Sequence, residues 1–209
     1  MEKRDTKTAI LQAALDLFCV RGYAGVSVRD IARSVGIKES SLYKHYAGKR
    51  AIFDALVAES NRRYEAASAA LKAPMGTPEE ASRVYAHISE DALVALAQAL
   101  LNYFLCDPFA VKCRRMLTME QYQHAPSAQA LRRMYLDDPL AYQGALFAHL
   151  IACGAFAPGD APTMALQFYA PIYLLLQRYD APDARALEQA MRDLEAHVRA
   201  FARQHAARA

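Results

Sequence analysis

Apolar residues along this chain recur at helical spacing, and no segment carries the two-residue alternation of a half-buried strand. From Thr6 to Val20, Ile10, Leu11, Ala14, Leu15, Leu17 and Phe18 form one broad stripe that predicts an amphipathic helix. Gly22, within Arg21–Gly25, predicts a left-handed stop. Ser27 followed three residues later by Asp30 is close to a capping box and predicts a new helix start. That helix turns Ile31, Ala32 and Val35 inward and ends at Gly36. A third short helix is predicted from near Lys38, through Leu42, to about His45. Two short helices joined by a tight glycine turn make a helix-turn-helix arrangement. Ala32 is small where the helices cross, Gly36 permits the turn, and Ile37 and Leu42 fill the wedge. Ser40, Ser41 and Lys44 stay outside.

Beyond this head the pattern stays helical. One long helix is predicted over about Lys49–Leu71 and a break over Lys72–Pro78, where Pro74, Gly76 and Pro78 fall. A second long helix is predicted from Glu79 to Tyr103, stopped by Asp107-Pro108. Helical segments follow at about Phe109–Gln123, Ala128–Tyr135 and Pro139–Cys153, punctuated by Pro126, Pro139 and Gly154. The last two cover about Pro162–Arg178 and Pro182–Gln204, with proline at or near the first helical position of each. Pro171 is expected to kink the first of them. The fold class is therefore all-α: a three-helix helix-turn-helix domain at residues 1–50, then a larger helical domain at residues 51–209.

Composition agrees with this pattern and excludes several alternatives. The chain has 209 residues, 54% of them hydrophobic and 22% charged, with only 8 Gly and 9 Pro. It is long enough for a full core and too apolar for intrinsic disorder. Charge adds an asymmetry. Residues 1–50 hold 10 Lys/Arg against 5 Asp/Glu, whereas residues 51–209 hold 15 against 17. A basic head on a slightly acidic body points to a polyanionic partner for the head. The start at Met1–Asp5 is followed by a periodic rather than continuous apolar pattern, so no signal peptide is expected. The apolar stretch Ala92–Cys106 is interrupted by Gln98 and Asn102 and is too short to span a bilayer. No membrane association and a cytoplasmic location follow. Cys19, Cys106, Cys113 and Cys153 are far apart, form no C-x-x-C pair, and read as reduced thiols with no metal site.

One stretch resembles a known family. Ser27-Val-Arg-Asp-Ile-Ala-Arg-Ser-Val-Gly-Ile-Lys-Glu-Ser-Ser-Leu-Tyr-Lys-His-Tyr-Ala-Gly-Lys-Arg50, inside residues 6–56, is similar to the N-terminal domain of the TetR family of one-component bacterial transcription regulators. The resemblance is dense at Leu42-Tyr43-x-His45-aromatic-x-x-Lys49 and much looser in the body, at Phe168-Tyr-Ala-Pro-Ile-Tyr173. It implies an all-α homodimer that binds double-stranded operator DNA and releases it when a small molecule binds the body. By the same resemblance Tyr43, His45 and Lys49 are phosphate contacts, and Tyr46 is part of the head's core. The residues themselves support the reading. In helix-turn-helix proteins the second helix enters the major groove. Lys38, Ser40, Ser41 and Lys44 are the short polar or basic side chains on that helix, and Lys44 is suited to guanine O6/N7. Ser27 and Arg29, at the front of the preceding helix, are placed for backbone and groove contacts. Glu39 is the odd member, suited to accept from cytosine N4 or to repel a phosphate.

The body carries two further signals. Leu187, Met191, Leu194, Val198 and Phe201 repeat at spacings of 4, 3, 4 and 3, as in a coiled-coil seam. The helix before it is apolar nearly all round from Phe168 to Leu176. Both predict a homodimer through the last two helices, about 162–204, with closure of an intramolecular core as the alternative. Tyr64, Gln98, Asn102, Tyr103, Met116, Met119, Tyr122, Phe147, Tyr169 and Tyr173 are candidate ligand-binding residues for an apolar or aromatic effector, and equally suit a core. His87, Asp91, Gln98 and Asn102 share one face of the long helix predicted there. No G-x-S-x-G elbow, P-loop, dinucleotide fingerprint or H-E-x-x-H appears, so neither an enzyme nor a cofactor is expected. The function expected is a ligand-responsive DNA-binding regulator, a repressor rather than an activator. The rival is a ligand-independent dimeric DNA-binding protein whose body is only a scaffold.

Overall fold

Side-chain oxygens of Asp5, Ser27, Thr77, Ser89, Asp160 and Asp183 each accept a backbone N–H at a helix start. The computed structural model describes residues 5–74 and 76–207. The leader expectation at Met1–Asp5 therefore lies largely outside the described residues. The helices are α1 (Thr6–Arg21), α2 (Val28–Val35), α3 (Glu39–Leu42), α4 (Lys49–Ala70), α5 (Pro78–Tyr85), α6 (Glu90–Cys106), α7 (Pro108–Glu120), α8 (Ala125–Arg132), α9 (Asp138–Ala152), α10 (Ala161–Arg178) and α11 (Ala184–His205). Among the described residues, extended pairing is limited to one isolated bridge between Phe156 and Ala206. The fold is all-α.

The chain packs as two compact units. One holds residues up to 64 together with Pro108–Leu131; the other holds Glu65–Asp107 and the residues from Arg132 onward. This cut differs from the boundary near residue 50 predicted from the sequence. In the first unit α7 lies along α1, where Lys112 pairs with Asp16. The Arg63 guanidinium stands 4.2 Å from the Phe109 ring centroid. Phe109, Cys113, Met116 and Leu117 on α7 are buried, as are Ile10, Ala14, Leu15 and Phe18 on α1. Burial pushes the Cys113 thiol up to about 11, which leaves it inert at neutral pH.

In the second unit α9 packs against α5 and α10, and α11 packs against α6. Leu146, Phe147, Leu150, Met164, Ala165 and Phe201 are central to its core. Arg199 on α11 ties three carboxylates together: Glu90 at 2.8 Å, Asp91 at 2.7 Å and Glu195 at 2.9 Å. Among the described residues no single helix is long and apolar enough to cross a bilayer.

Several expected boundaries move. The helix predicted over Glu79–Tyr103 is two helices, because Ser89 accepts from Ala92 N and starts α6 afresh. His87 therefore lies before that start, and the four-residue polar stripe does not exist. Conversely, Pro139 does not separate two helices. Residues 133–137 form a π turn that runs from α8 directly into α9, with Pro139 in the first turn of α9. Proline deprives the Tyr135 carbonyl, four residues back, of its α-helical donor. Tyr169 Oη donates to that carbonyl at 2.9 Å. Pro182 precedes the Asp183 cap rather than opening α11. Pro171 does lie inside α10.

Candidate nucleic-acid interface

The head is built so that one turn of helix stands clear of its support. Ser27 Oγ accepts from Asp30 N at 3.1 Å and donates to Asp30 Oδ2 at 2.6 Å, while Ser27 N donates to the same oxygen at 2.9 Å. These bonds hold the Asp30 carboxyl below its ordinary value. At the other end of α2, Gly36 adopts φ 77°, ψ 33°, and Ile37 N reaches back to Ala32 O at 3.0 Å. This closes the helix in a Schellman turn. Gly22, by contrast, has φ 72° but ψ 163°, which is not the left-handed helical stop predicted for it. A β-carbon there would collide with Glu120 Oε1.

α3 spans only Glu39–Leu42, shorter than predicted, but tight backbone bonds continue it. His45 N bonds Leu42 O at 2.9 Å and Tyr46 N bonds the same carbonyl at 3.1 Å. Leu42 and Tyr46 are buried and anchor the segment, so Tyr46 is structural. Lys38, Ser40, Tyr43, Lys44 and His45 are exposed and Ser41 is half-buried; Tyr43 exposes 53% of its surface. The predicted recognition residues thus come together on one short segment.

Three predicted contacts have additional roles. Ser27 uses its hydroxyl as the α2 cap. Lys49, expected at a phosphate, donates from Nζ to Tyr23 O at 2.7 Å and Val26 O at 2.9 Å, so one of its three N–H donors remains. Burial keeps its ammonium below the usual lysine value. Arg29 donates from Nε to Glu39 Oε1 at 2.8 Å, a link between α2 and α3 that sequence reasoning missed because it treated the two residues separately. The Tyr23 ring that Lys49 overlies is also stacked with His124, centroids 4.2 Å apart.

The expected ligand-binding residues are divided between the two units. Tyr64, Met116, Met119 and Tyr122 belong to the first unit; Gln98, Asn102, Tyr103, Phe147, Tyr169 and Tyr173 belong to the second. Met116 is sealed in the core, whereas Met119 and Tyr122 are exposed, Tyr122 by 89%. Phe147 packs among Phe156, Phe168 and Phe201. Gln98 Nε2 donates to Met191 O at 3.2 Å, and Asn102 lies at the surface. Tyr103 sits edge-on to Phe104, and Tyr173 is half-buried. An open groove of about 340 Å³ in the second unit is lined by Gln167, Pro171, His197, Ala200, Phe201 and Gln204, none of them in the expected set. Aromatic and thioether content marks core and cavity alike, which is why composition did not separate them. Among the described residues no group of three or more His, Cys, Asp or Glu is placed to hold a metal.

The seam on α11 is covered in part by its own chain. Leu194, Val198 and Phe201 are buried within the single chain, whereas Leu187 and Met191 are half-buried. An uncovered apolar face lies on α10, where Leu166 is 55% and Leu174 61% exposed. Ala170 lies between them at helical spacing, also exposed.

Residues 10–56 match the model of the tetR family of bacterial regulatory proteins. The biofilm operon icaADBC negative transcriptional regulator IcaR of Staphylococcus aureus (strain Newman) is 44% identical over 48 residues. That alignment covers 23% of this chain and 26% of IcaR, so the chain matches about a quarter of that relative's length. A TetR-family transcriptional regulator from Agrobacterium tumefaciens has the same fold at 21% identity, with a TM-score of 0.61, covering 98% of this chain and 99% of its own. AibR, solved in complex with isovaleryl coenzyme A and operator DNA, matches at 17% identity and TM-score 0.62, covering 91% and 96%. The exposed turn of α3 on its capped support therefore lies within the segment that matches the tetR regulatory model, and the chain as a whole shares the helical fold of these solved structures.

Proposed function

We propose that the protein is a dimeric transcriptional repressor that holds operator DNA through α3 and releases it when a small molecule binds the second unit. The observation that carries this reading is the α3 segment. Lys38, Ser40, Tyr43, Lys44 and His45 are exposed on one anchored turn, in a head with a net charge of +5 over residues 1–50. Side chains of these types suit phosphate oxygens and base edges, and a single turn enters a major groove without obstruction. The exposed Leu166–Ala170–Leu174 face of α10 supports a second copy as partner, which would give two reading heads for successive major grooves. Such a protein works in the cytoplasm, beside the DNA.

A small-molecule partner beside DNA is supported by AibR, which was solved with isovaleryl coenzyme A and operator DNA. α4 is continuous from one unit into the other, so a change in the second unit has a covalent route to the head. By linkage, operator DNA would weaken effector binding by the factor with which effector weakens DNA binding. The test is fluorescence anisotropy of the purified protein on duplex DNA across a salt series. Binding with a log–log slope of several units supports the reading, and Lys38→Ala should lower that slope by about 1. Absence of binding at low salt overturns it.

A further inference from the structure

We infer that Glu39 is a positioning residue for Arg29, and that the pair reads a guanine which neither residue would select alone. This rests on the DNA-binding reading above and deepens it. Arg29 sits in the first turn of α2 and is 73% exposed, while Glu39 opens α3 and is 40% exposed. The two are ten residues apart in sequence and are joined across the turn by the 2.8 Å bond from Nε to Oε1.

The chemistry of that bond selects the target. A guanidinium has five N–H donors in one rigid plane. Engaging Nε fixes the plane and leaves the two terminal amino groups for another acceptor pair. A phosphate is a poor match, because the Glu39 carboxylate beside the guanidinium repels an approaching anion. Guanine presents two neutral acceptors, O6 and N7, at a spacing that suits a bidentate arginine. Carboxylate and guanidinium together are therefore suited to a base edge and unsuited to the backbone. Glu39 has one oxygen committed to Arg29, so its role is to orient the reader and not to be one. Attachment to α3 on one side and α2 on the other also sets the arginine's position relative to Lys44 and the serines. The two helices then present a single reading surface.

The experiment is selection of bound sequences from a randomised duplex pool, followed by competition binding, using the full chain. The wild type should enrich a guanine at one position per half-site. Arg29→Ala and Glu39→Ala should each reduce that preference by roughly tenfold at the same position. The double variant should lose no more than either single variant, since one removes what the other positions. Glu39→Gln keeps an acceptor for Nε and should restore part of the preference. The thermal midpoint should hold in all four variants, which a merely structural role would not predict. A preference that shifts at a different position in Glu39→Ala than in Arg29→Ala makes Glu39 a direct reader and overturns the inference. So does a Glu39→Ala preference identical to wild type. Failure of the wild type to enrich any sequence is a separate result, and it removes the DNA-binding reading together with this one.

Discussion

The ammonium of Lys49 lies over the ring of Tyr23, 4.2 Å from its centroid, and also donates to the Tyr23 carbonyl at 2.7 Å. With the bond to Val26 O, this fastens the loop after α1 to the start of α4. Lys49 thus supports the head, whatever it offers a phosphate with its remaining donor. Lys49→Ala should cost about 1–3 kcal/mol of stability, because two carbonyls lose a charged donor and the ring loses its cation. Lys44→Ala should stay within about 0.5 kcal/mol, while altering sequence preference. Thermal or urea melts of the two variants, beside their DNA affinities, separate support from contact.

The two helix-ending glycines should respond differently to asparagine. Gly36 at φ 77°, ψ 33° is in the left-handed region, with nothing within 4 Å of an added β-carbon. Asparagine tolerates that region, so Gly36→Asn should cost about 1 kcal/mol or less. Gly22 at φ 72°, ψ 163° occupies a region nearly exclusive to glycine, and an added β-carbon would also have to displace the end of the Glu120 side chain. Gly22→Asn should cost about 2 kcal/mol or more. Equal losses in denaturant midpoint would refute the distinction.

Tyr169 is assigned by the structure to a backbone repair. Its hydroxyl satisfies the carbonyl that Pro139 leaves without a helical donor. Tyr169→Phe should therefore lower stability by about 1–3 kcal/mol, the loss expected when a buried carbonyl loses a partner. Tyr169→Phe combined with Pro139→Ala should recover part of that loss, since alanine returns the missing N–H. A double-mutant cycle with no coupling would contradict the link.

Stability should decline as pH falls below neutrality. Burial, reinforced by the Arg50 charge, holds the His124 imidazole below its ordinary value, and burial does the same to His205. A histidine with a depressed folded-state pKa takes up its proton more readily once unfolded. Its contribution is therefore complete above about pH 6.5 and is lost as pH falls towards the folded-state value. Thermal midpoints measured from pH 7.5 down to 5 should fall, and His124→Gln should flatten part of the decline. A midpoint rising over that range would reverse the sign and refute the argument.

If α10 carries the subunit contact, Leu174→Glu should yield a folded monomer by sedimentation analysis, with unchanged helicity. Val198→Glu should instead unfold the second unit, because it places a charge in a fully buried position. A dimer that survives Leu174→Glu unchanged would move the contact elsewhere.

The head was legible because its signals are local. Ser27 with Asp30, Gly36, and the apolar trio Ile31, Ala32 and Leu42 each act within a few residues and agree with one another. The body was less so. Val84 to Val94 keeps an apolar rhythm that hides the fresh start at Ser89, although serine followed by Glu90 and Asp91 is itself a start signal. Pro139 reads as a stop, yet it sits in the first turn of α9, where a proline is accommodated, and Tyr169, thirty residues away, donates to the Tyr135 carbonyl before it. The seam on α11 has the same period whether it meets its own chain or another. The Arg29–Glu39 bond depends on how the turn brings two helices together, which no periodicity encodes.

Because the first unit takes in residues 108–131 as well as those up to 64, the reading head is not finished when its own motif leaves the ribosome. Synthesis must pass through α5 and α6, which belong to the other unit, before α7 can cover α1 and His124 can reach Tyr23. A graft of the first fifty residues onto a foreign body would carry the letters of the motif without Phe109, Leu117 or His124 behind it. Exchange of DNA specificity between proteins of this architecture therefore calls for transplanting the reading side chains themselves, not the segment that bears them.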